Sequence, residues 1–242
     1  MTAVSGRTRL LALIADPVVQ ARSPAMANAL LAERGQDGRF VLVPLQVPAG
    51  ALADVVRGLR RVGNFAGALV SMPHKAAVVP LLDELTPEAA LVRAANVFRR
   101  TADGRLIGTM LDGEGFVGGL RAAGHDVRGA ACLLVGAGGA ASAIAFALAR
   151  AGCGSLTIVN RTAGRAVDLA ARVGAAFPAV TVRLGDSPDV RYDVAINGTS
   201  LGMQAGDALP MSRDLVERSA LIAECVLAPE TTPPVLFPRS LR

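Results

Sequence analysis

The stretch Cys132-Leu133-Leu134-Val135-Gly136-Ala137-Gly138-Gly139-Ala140-Ala141 decides the architecture. An apolar run enters a glycine-rich turn, and the turn enters a segment of small residues that reads as a helix from Ala140 to Ala151. Glycines at a strand-to-helix turn let the backbone bend tightly and approach a pyrophosphate, whose charge then rests on the unpaired N–H groups of the helix start. The last position of the GxGxxG pattern is Ala141, a small replacement. A string of this kind also suits an ordinary tight turn. Context favours a dinucleotide site, because an apolar strand precedes the turn, a helix follows it, and a second strand, Ser155 to Val159, comes on cue. Gly136, Ala137, Gly138, Gly139 and Ala140 are the candidate cofactor-binding residues of this turn.

The end of the second strand bears on which dinucleotide is held. An NAD site usually carries Asp or Glu there, ~20 residues after the glycines, to hold the ribose hydroxyls. This chain reads Val159-Asn160-Arg161-Thr162-Ala163-Gly164-Arg165 instead. A carboxylate would repel a 2′-phosphate, whereas Arg161 and Arg165 are able to grip one with charge-assisted hydrogen bonds. The pair would serve equally as solvated residues at a helix start, but its position favours NADP(H). A later strand, Val194 to Asn197, ends in Gly198-Thr199-Ser200-Leu201-Gly202-Met203. Ligands of open parallel sheets bind beyond the carboxyl ends of strands, so this loop is a candidate for the nicotinamide ribose as well as for a plain turn.

Outward from the glycine turn, the pattern alternates. Strands are expected at Arg9–Ile14, Phe40–Leu45 and Phe65–Val70, with helices from Ser23-Pro24 to Arg34, from Ala49 to Val62 and from about His74. Ser23 is the expected N-cap, with Pro24 in the first helical position. Two short strands around Asp103-Gly104 and a helix from Gly113 to Ala123 lead to the connection at Gly124–Arg128, after which the second α/β pattern runs through a helix at Arg165–Val173 and strands near Val180–Leu184 and Leu221–Val226. Strands alternating with helices imply parallel sheets with crossover helices.

Composition removes other classes. Apolar residues make up 52% of the 242, yet no run reaches the ~20 needed to span a bilayer, so a cytoplasmic protein without membrane partners is expected. Three cysteines without CxxC spacing and two histidines give neither a disulfide framework nor a metal site. The net charge of +5 is spread along the chain and aromatics are only 3%, which argues against nucleic acid, since single-strand binders need stacking platforms. A small-molecule substrate is the expected partner, with the chain a monomer or homodimer. The basic residues are 24 arginines and one lysine, Lys75. Arginine is always charged, whereas an ammonium exchanges its proton. Lys75 follows a strand end in Ser71-Met72-Pro73-His74-Lys75, and Asp112 stands at a strand-to-helix junction in Asp112-Gly113-Glu114-Gly115-Phe116. Taken singly, the first suits a solvated helix start and the second an N-cap.

In chain order, Ser23-Pro24, Pro73-His74-Lys75, Ala95-Asn96, Asp112 to Phe116, Gly136 to Ala140, Asn160-Arg161-Thr162, Asn197 to Met203 and Pro229 to Pro233 follow one pattern. The chain thereby resembles the shikimate dehydrogenase family from residue 13 to residue 236. The resemblance implies two α/β domains, an N-terminal substrate-binding domain over 1–108 and a Rossmann-type NADP-binding domain over 109–242, with the C-terminal end packing back on the first. It implies an NADP-dependent oxidoreductase of aromatic amino acid biosynthesis acting on CH–OH, with Lys75 and Asp112 as catalytic pair. Ser23, Ser71 and Asn96 would contact substrate, and Asn160, Arg161, Thr162, Arg165, Thr199, Ser200, Gly202 and Met203 the cofactor.

Several family positions differ here. Gln20 and Ala21 replace a His and a Ser, Leu69 and Ser71 an Asn and a Thr, Met110-Leu111 an Asn-Thr pair, and Leu227 a Tyr. Losing neutral hydrogen bonds near a carboxylate weakens its binding by ~1 kcal/mol each, so a related cyclic hydroxy acid competes with shikimate as the expected substrate. The family also continues past the position of Arg242 through helices carrying a substrate-binding Gln, so a shortened or unusual end is expected. The alternatives are a catalytically inactive NADP(H)-binding or ligand-sensing protein, and a folate-dependent dehydrogenase of similar layout.

Overall fold

The computed structural model describes residues 4–204 and 206–226. The chain divides into two compact units, Met1–Leu111 and Asp112–Arg242. The division falls between Leu111 and Asp112 rather than after 108, because the strand Leu106–Thr109 is hydrogen-bonded into the first sheet and Leu111 N–H donates to Asn96 Oδ1 at 2.9 Å. The segment expected to pack back on the first domain, with Leu227 and Pro229 to Pro233, lies outside the described residues.

In the first unit the strands are β1 (Arg9–Ala15), β2 (Phe40–Gln46), β3 (Phe65–Val70), β4 (Glu84–Leu85), β5 (Val97–Arg100) and β6 (Leu106–Thr109), in the sheet order β2-β1-β3-β5-β6-β4. The sheet is mixed: β1 runs parallel to β2 and β3, whereas β5 is antiparallel to β3 and β6. Apolar runs such as Leu11–Ile14 and Phe65–Val70 suit strands covered on both faces. Ala12, Ile14, Phe65, Ala68, Val70, Phe98 and Leu106 form the core with Leu52 and Val56. Those two, four residues apart, share one face of α2 (Leu52–Arg60). Phe65 and Phe98 meet with ring centroids 6.1 Å apart, a pairing worth ~1 kcal/mol beyond its burial.

Two local expectations change. The helix α1 (Ser23–Glu33) has Arg22 as its N-cap and no capping side chain, so Ser23 already lies in the first turn. The helix is tied to the sheet by a polar contact: Asn28 donates to Leu42 O and accepts from Leu42 N, each at 2.9 Å. No α-helix starts at His74. A single α-turn, Val78 N to His74 O at 2.9 Å, gives way to a 3₁₀ turn at Val79–Leu81. Pro80 has no N–H to send back to Ala76, so the helical ladder cannot continue. The short strand β4 and the helix α3 (Pro87–Val92) follow.

The second unit holds α4 (Asp112–Ala122), β7 (Ala131–Val135), α5 (Gly139–Arg150), β8 (Ser155–Val159), α6 (Ala163–Ala176), β9 (Thr181–Leu184), β10 (Tyr192–Asn197), α7 (Arg213–Glu217) and β11 (Ser219–Glu224). All its strand pairs are parallel, in the order β11-β10-β7-β8-β9. The chain reverses its direction of travel across the sheet between β7 and β10, the Rossmann-type switch point. Ala141 to Ala149 of α5 are all buried, and only small side chains allow such close approach: a Cβ on Gly113 of α4 would collide with the Ala143 carbonyl. No described helix is long and apolar enough to cross a membrane.

Asp83 ties three elements of the first unit together. Its Oδ2 accepts from Leu106 N and from Arg60, both at 2.6 Å, and Arg60 also donates to Leu81 O. The Leu106 amide, aided by the Arg60 guanidinium, holds the Asp83 carboxyl below the usual carboxylate range. A carboxyl lowered in the folded state contributes stability that is present above the unfolded value of about 3.9 and is lost as pH falls through the folded value. Asp83→Asn is therefore expected to cost on the order of 1 kcal/mol near neutral pH, and the gap from wild type to close at an acidic pH below the folded-state value. Thermal melts of both proteins at the two pH values check this.

Candidate functional site

Each sheet presents candidate residues at the carboxyl ends of its strands. In the first unit, β1 and β3 run in register, Ile14 opposite Val70, and β5 begins beside the end of β3 because it runs the other way. Val70 N donates to Asn96 O at 2.7 Å and Ser71 N to Ile14 O at 2.8 Å. Asp16 N, just past β1, reaches Met72 O at 3.0 Å. These bonds stitch the loops after β1 and β3 and the start of β5 into one edge.

Lys75 belongs to that edge. Ala95 N donates to its carbonyl at 2.8 Å, and its neighbour His74 is buried at 1% exposure with Nε2 at 2.6 Å from Val47 O. Facing a carbonyl, that nitrogen must be the protonated one and donates. The loop is thus pinned on both sides of the half-buried Lys75. Asn96 is oriented by accepting Leu111 N at Oδ1, and Ser71 is half-buried. Ser71, Lys75 and Asn96 are therefore brought together. Ser23 stands apart from this bonded set, exposed in the first turn of α1.

The replaced positions divide. Met110 is buried at 2%, whereas Leu111 is 45% exposed, so Leu111 is the apolar side chain presented to solvent there. Gln20 donates from Nε2 to Pro17 O at 3.0 Å, while its Oε1 is buried without a hydrogen-bond partner. Asp112, half-buried, is the first residue of α4 and so belongs to the second unit, whereas Lys75 belongs to the first.

In the second unit the glycine turn lies at the switch point. Gly136 has φ 122°, and a Cβ on it would come within 2.9 Å of Gly198 O. Its N–H donates to Val159 O at 2.7 Å, and Gly198 N–H donates to Val135 O at 2.8 Å. Gly138, the N-cap of α5, faces open space: a Cβ there would meet nothing within 4 Å. The first bond of α5 runs from Ser142 N to Gly138 O at 2.8 Å, so the Gly139, Ala140 and Ala141 amides precede any intrahelical acceptor. A turn that is open in front and headed by amides fits a pyrophosphate. At the end of β8, Asn160 Nδ2 donates to Thr162 O at 2.9 Å, and Arg161 and Arg165 are both exposed around the start of α6. Two exposed cations beside the β8 end fit a 2′-phosphate.

The loop after β10 is internally bonded. Asn197, with 0% exposure, accepts at Oδ1 from Thr199 N at 3.0 Å and Thr199 Oγ1 at 2.7 Å. Asp207 Oδ2 accepts from Gly202 N at 2.9 Å and Gln204 N at 3.0 Å. Asp207 and Glu224 lie outside the expected set of site residues, and Gly198 belongs to the expected loop without a role of its own. Gly198 sits in the quoted segment and a Cβ on it would come 2.8 Å from that of Ala141, a clash foreshadowed only by two glycine-bearing strand ends. Nothing local marks Asp207 or Glu224.

Comparison with known proteins matches both units. Residues 13–98 match the family model described as the shikimate dehydrogenase substrate binding domain, and residues 120–201 the model described as shikimate / quinate 5-dehydrogenase. The shikimate dehydrogenase (NADP(+)) of Rubrobacter xylanophilus is 42% identical over 229 residues, 93% of this chain and 80% of the relative. The crystal structure of shikimate 5-dehydrogenase from Listeria monocytogenes, in complex with shikimate and NAD, superposes with TM-score 0.82 at 32% identity, covering 96% of this chain and 83% of that one. The 5-ketofructose reductase of a Gluconobacter species, in its ligand-free form, gives 0.76 at 32% identity, covering 92% and 80%. With most of its length matched by two models of one family, and a relative of that family this similar over this much of both chains, the protein belongs to the shikimate dehydrogenase family.

Proposed function

We propose that the protein is an NADP(H)-dependent oxidoreductase that interconverts the secondary alcohol of shikimate, or of a related cyclic hydroxy acid, and the corresponding ketone in the cytoplasm. The observation that supports this most is the chain's sole lysine, pinned through its own carbonyl and through His74 at the carboxyl edge of the first sheet, beside Ser71 and Asn96. When bound, the cofactor would supply the hydride acceptor for the alcohol carbon in one direction and the hydride for the ketone in the other. Lys75 supplies positive charge to the alkoxide oxygen that develops as the hydride leaves, and takes part in moving the hydroxyl proton. An arginine would supply the charge but not the proton exchange. Asp112 is the second catalytic group that the family resemblance implies. Ser23, Ser71 and Asn96 hold the rest of the substrate. Overall one alcohol and NADP⁺ give one ketone, NADPH and one proton.

On the cofactor side, Gly136, Ala137, Gly138, Gly139 and Ala140 receive the pyrophosphate, and Asn160, Arg161, Thr162 and Arg165 surround the adenosine phosphate. Thr199, Ser200, Gly202 and Met203 flank the nicotinamide ribose. The missing carboxylate at the end of β8 supports NADP(H) over NAD(H).

Incubating the protein with NADP⁺ and a panel of shikimate, quinate and neutral cyclic polyols, followed by nicotinamide absorbance, is the direct check. Turnover of at least one panel member is expected. Lys75→Ala is expected to cut kcat by ~10²–10⁴-fold, the range for a general acid–base group. Cofactor binding without turnover on any member sinks the enzymatic reading in favour of a sensor. Replacing Arg161 and Arg165 together by Ala should raise KM for NADP⁺ by about tenfold or more and leave KM for NAD⁺ nearly unchanged, since each charge-assisted bond is worth about 1.5–3 kcal/mol. Equal effects on the two cofactors would remove the 2′-phosphate assignment.

A further inference from the structure

Asn197 ends β10 with every valence of its amide filled, although its side chain is wholly buried. Its Oδ1 takes both bonds from Thr199, as described. Its Nδ2 donates to Leu201 O at 3.0 Å and to Glu224 Oε2 at 2.8 Å. Glu224 ends β11 and lies opposite Asn197 in the parallel register, and Cys225 N closes the same ladder onto Asn197 O at 3.0 Å. Thr199 Oγ1 in turn accepts from Leu201 N at 3.1 Å.

An amide side chain has two nearly identical ends, and its partners decide which faces where. A carboxylate and a carbonyl accept and cannot donate, so Glu224 and Leu201 O together hold the NH₂ end of Asn197, with Glu224 supplying the charged acceptor on the β11 side. The carbonyl end is thereby forced toward Thr199, the only orientation in which Thr199 N–H finds its acceptor. The loop so fixed abuts the glycine turn, where Gly198 carbonyl leaves no room for a Cβ on Gly136. In this strand order β8 and β9 lie on one side of β7, and β10 and β11 on the other. A dinucleotide straddling the switch point lays its adenosine half on the first side and its other half over β10.

We propose that Glu224 is a positioning residue for the nicotinamide half of the cofactor, acting through the Asn197 amide on the Thr199 loop. The proposal rests on the NADP(H) reading above. Glu224 acts through the orientation of a group that shapes the surface the cofactor would meet. Linked polar networks of this kind, here centred on one buried amide with half-buried partners, lose more than one bond when one member is removed.

The test is a calorimetric titration of the full chain with two probes, NADP⁺ and adenosine 2′,5′-bisphosphate, the latter lacking the nicotinamide half. Glu224→Ala is expected to raise Kd for NADP⁺ by about tenfold, as for loss of a buried charge-assisted bond. It should leave Kd for the bisphosphate within about twofold, because the Arg161 side of the sheet is untouched. Glu224→Gln, whose Oε1 still accepts from Asn197, should restore most NADP⁺ affinity. Equal losses for both probes would mean a merely structural role and overturn the assignment, as would unchanged NADP⁺ affinity in Glu224→Ala. Thr199→Val removes the two Oγ1 bonds at the far end of the same chain, together with any contact of that hydroxyl with the ribose, and should show at least the same selective loss; a Val variant that binds NADP⁺ like wild type overturns the proposal even if Glu224→Ala cannot fold. Failure of the underlying cofactor reading is distinct, since the unaltered protein would then bind neither probe.

Discussion

No side chain fits between the ends of β7 and β10. The two strands finish side by side at the switch point, and the chain leaves each through a glycine: a Cβ on Gly136 would meet the Gly198 backbone, and one on Gly198 the side chain of Ala141. Gly198 hydrogen-bonds back to Val135, Gly136 reaches across to Val159, and the ends of β7, β8 and β10 are thereby locked into one rim. A ligand-binding turn needs its amides exposed and its position fixed at once, demands that usually conflict. Here the rigidity comes from backbone bonds behind the turn, which leaves the front, at Gly138, open. The small residues of α5 extend the same economy of space to the helix behind it.

The first unit solves a related problem with side chains. Its reactive candidate, Lys75, sits on a loop without an α-helix to hold it, since Pro80 interrupts the ladder. Compensation comes from His74, buried against Val47, and from the Lys75 carbonyl, bonded to Ala95. An ammonium that must meet a developing alkoxide gains from being held before the substrate arrives, because no reorganisation is then needed at the moment of reaction. Asp83 does comparable work farther along, joining α2, the 3₁₀ turn and β6 through one carboxylate.

Most strands and the glycine turn were legible because their signals are local: apolar runs, a change of period, glycines where the chain must bend. The β8 end was legible in the same way, as arginines where a carboxylate was expected. What escaped notice depends on distance along the chain. Glu224 and Asn197 lie 27 residues apart and meet only because β10 and β11 pair in one register. Asp207 closes a loop whose sequence does not announce the closure. The helix expected at His74 failed on a single proline four residues beyond an acceptor, and β4 is two residues long, too short to carry a period. The family motifs supplied roles for Lys75 and Asp112 that no local pattern could, since neither residue differs in composition or period from a helix-start lysine or a capping aspartate.

Asn28 has a bearing on how the protein behaves in a crowded cell. The strand β2 is the outer margin of the first sheet, where unpaired backbone groups would template a foreign strand. The groups of Phe40, Leu42 and Pro44 point outward from β1 by the alternation of a parallel ladder. Leu42 has both of its groups taken by the Asn28 carboxamide, Phe40 N–H is bonded to Gln36 O at 3.0 Å, and proline has no hydrogen to offer. From Phe40 to Pro44 the margin therefore offers no outward N–H to an incoming strand, one being held by a turn, one by an amide and one absent, which disfavours strand addition along that stretch.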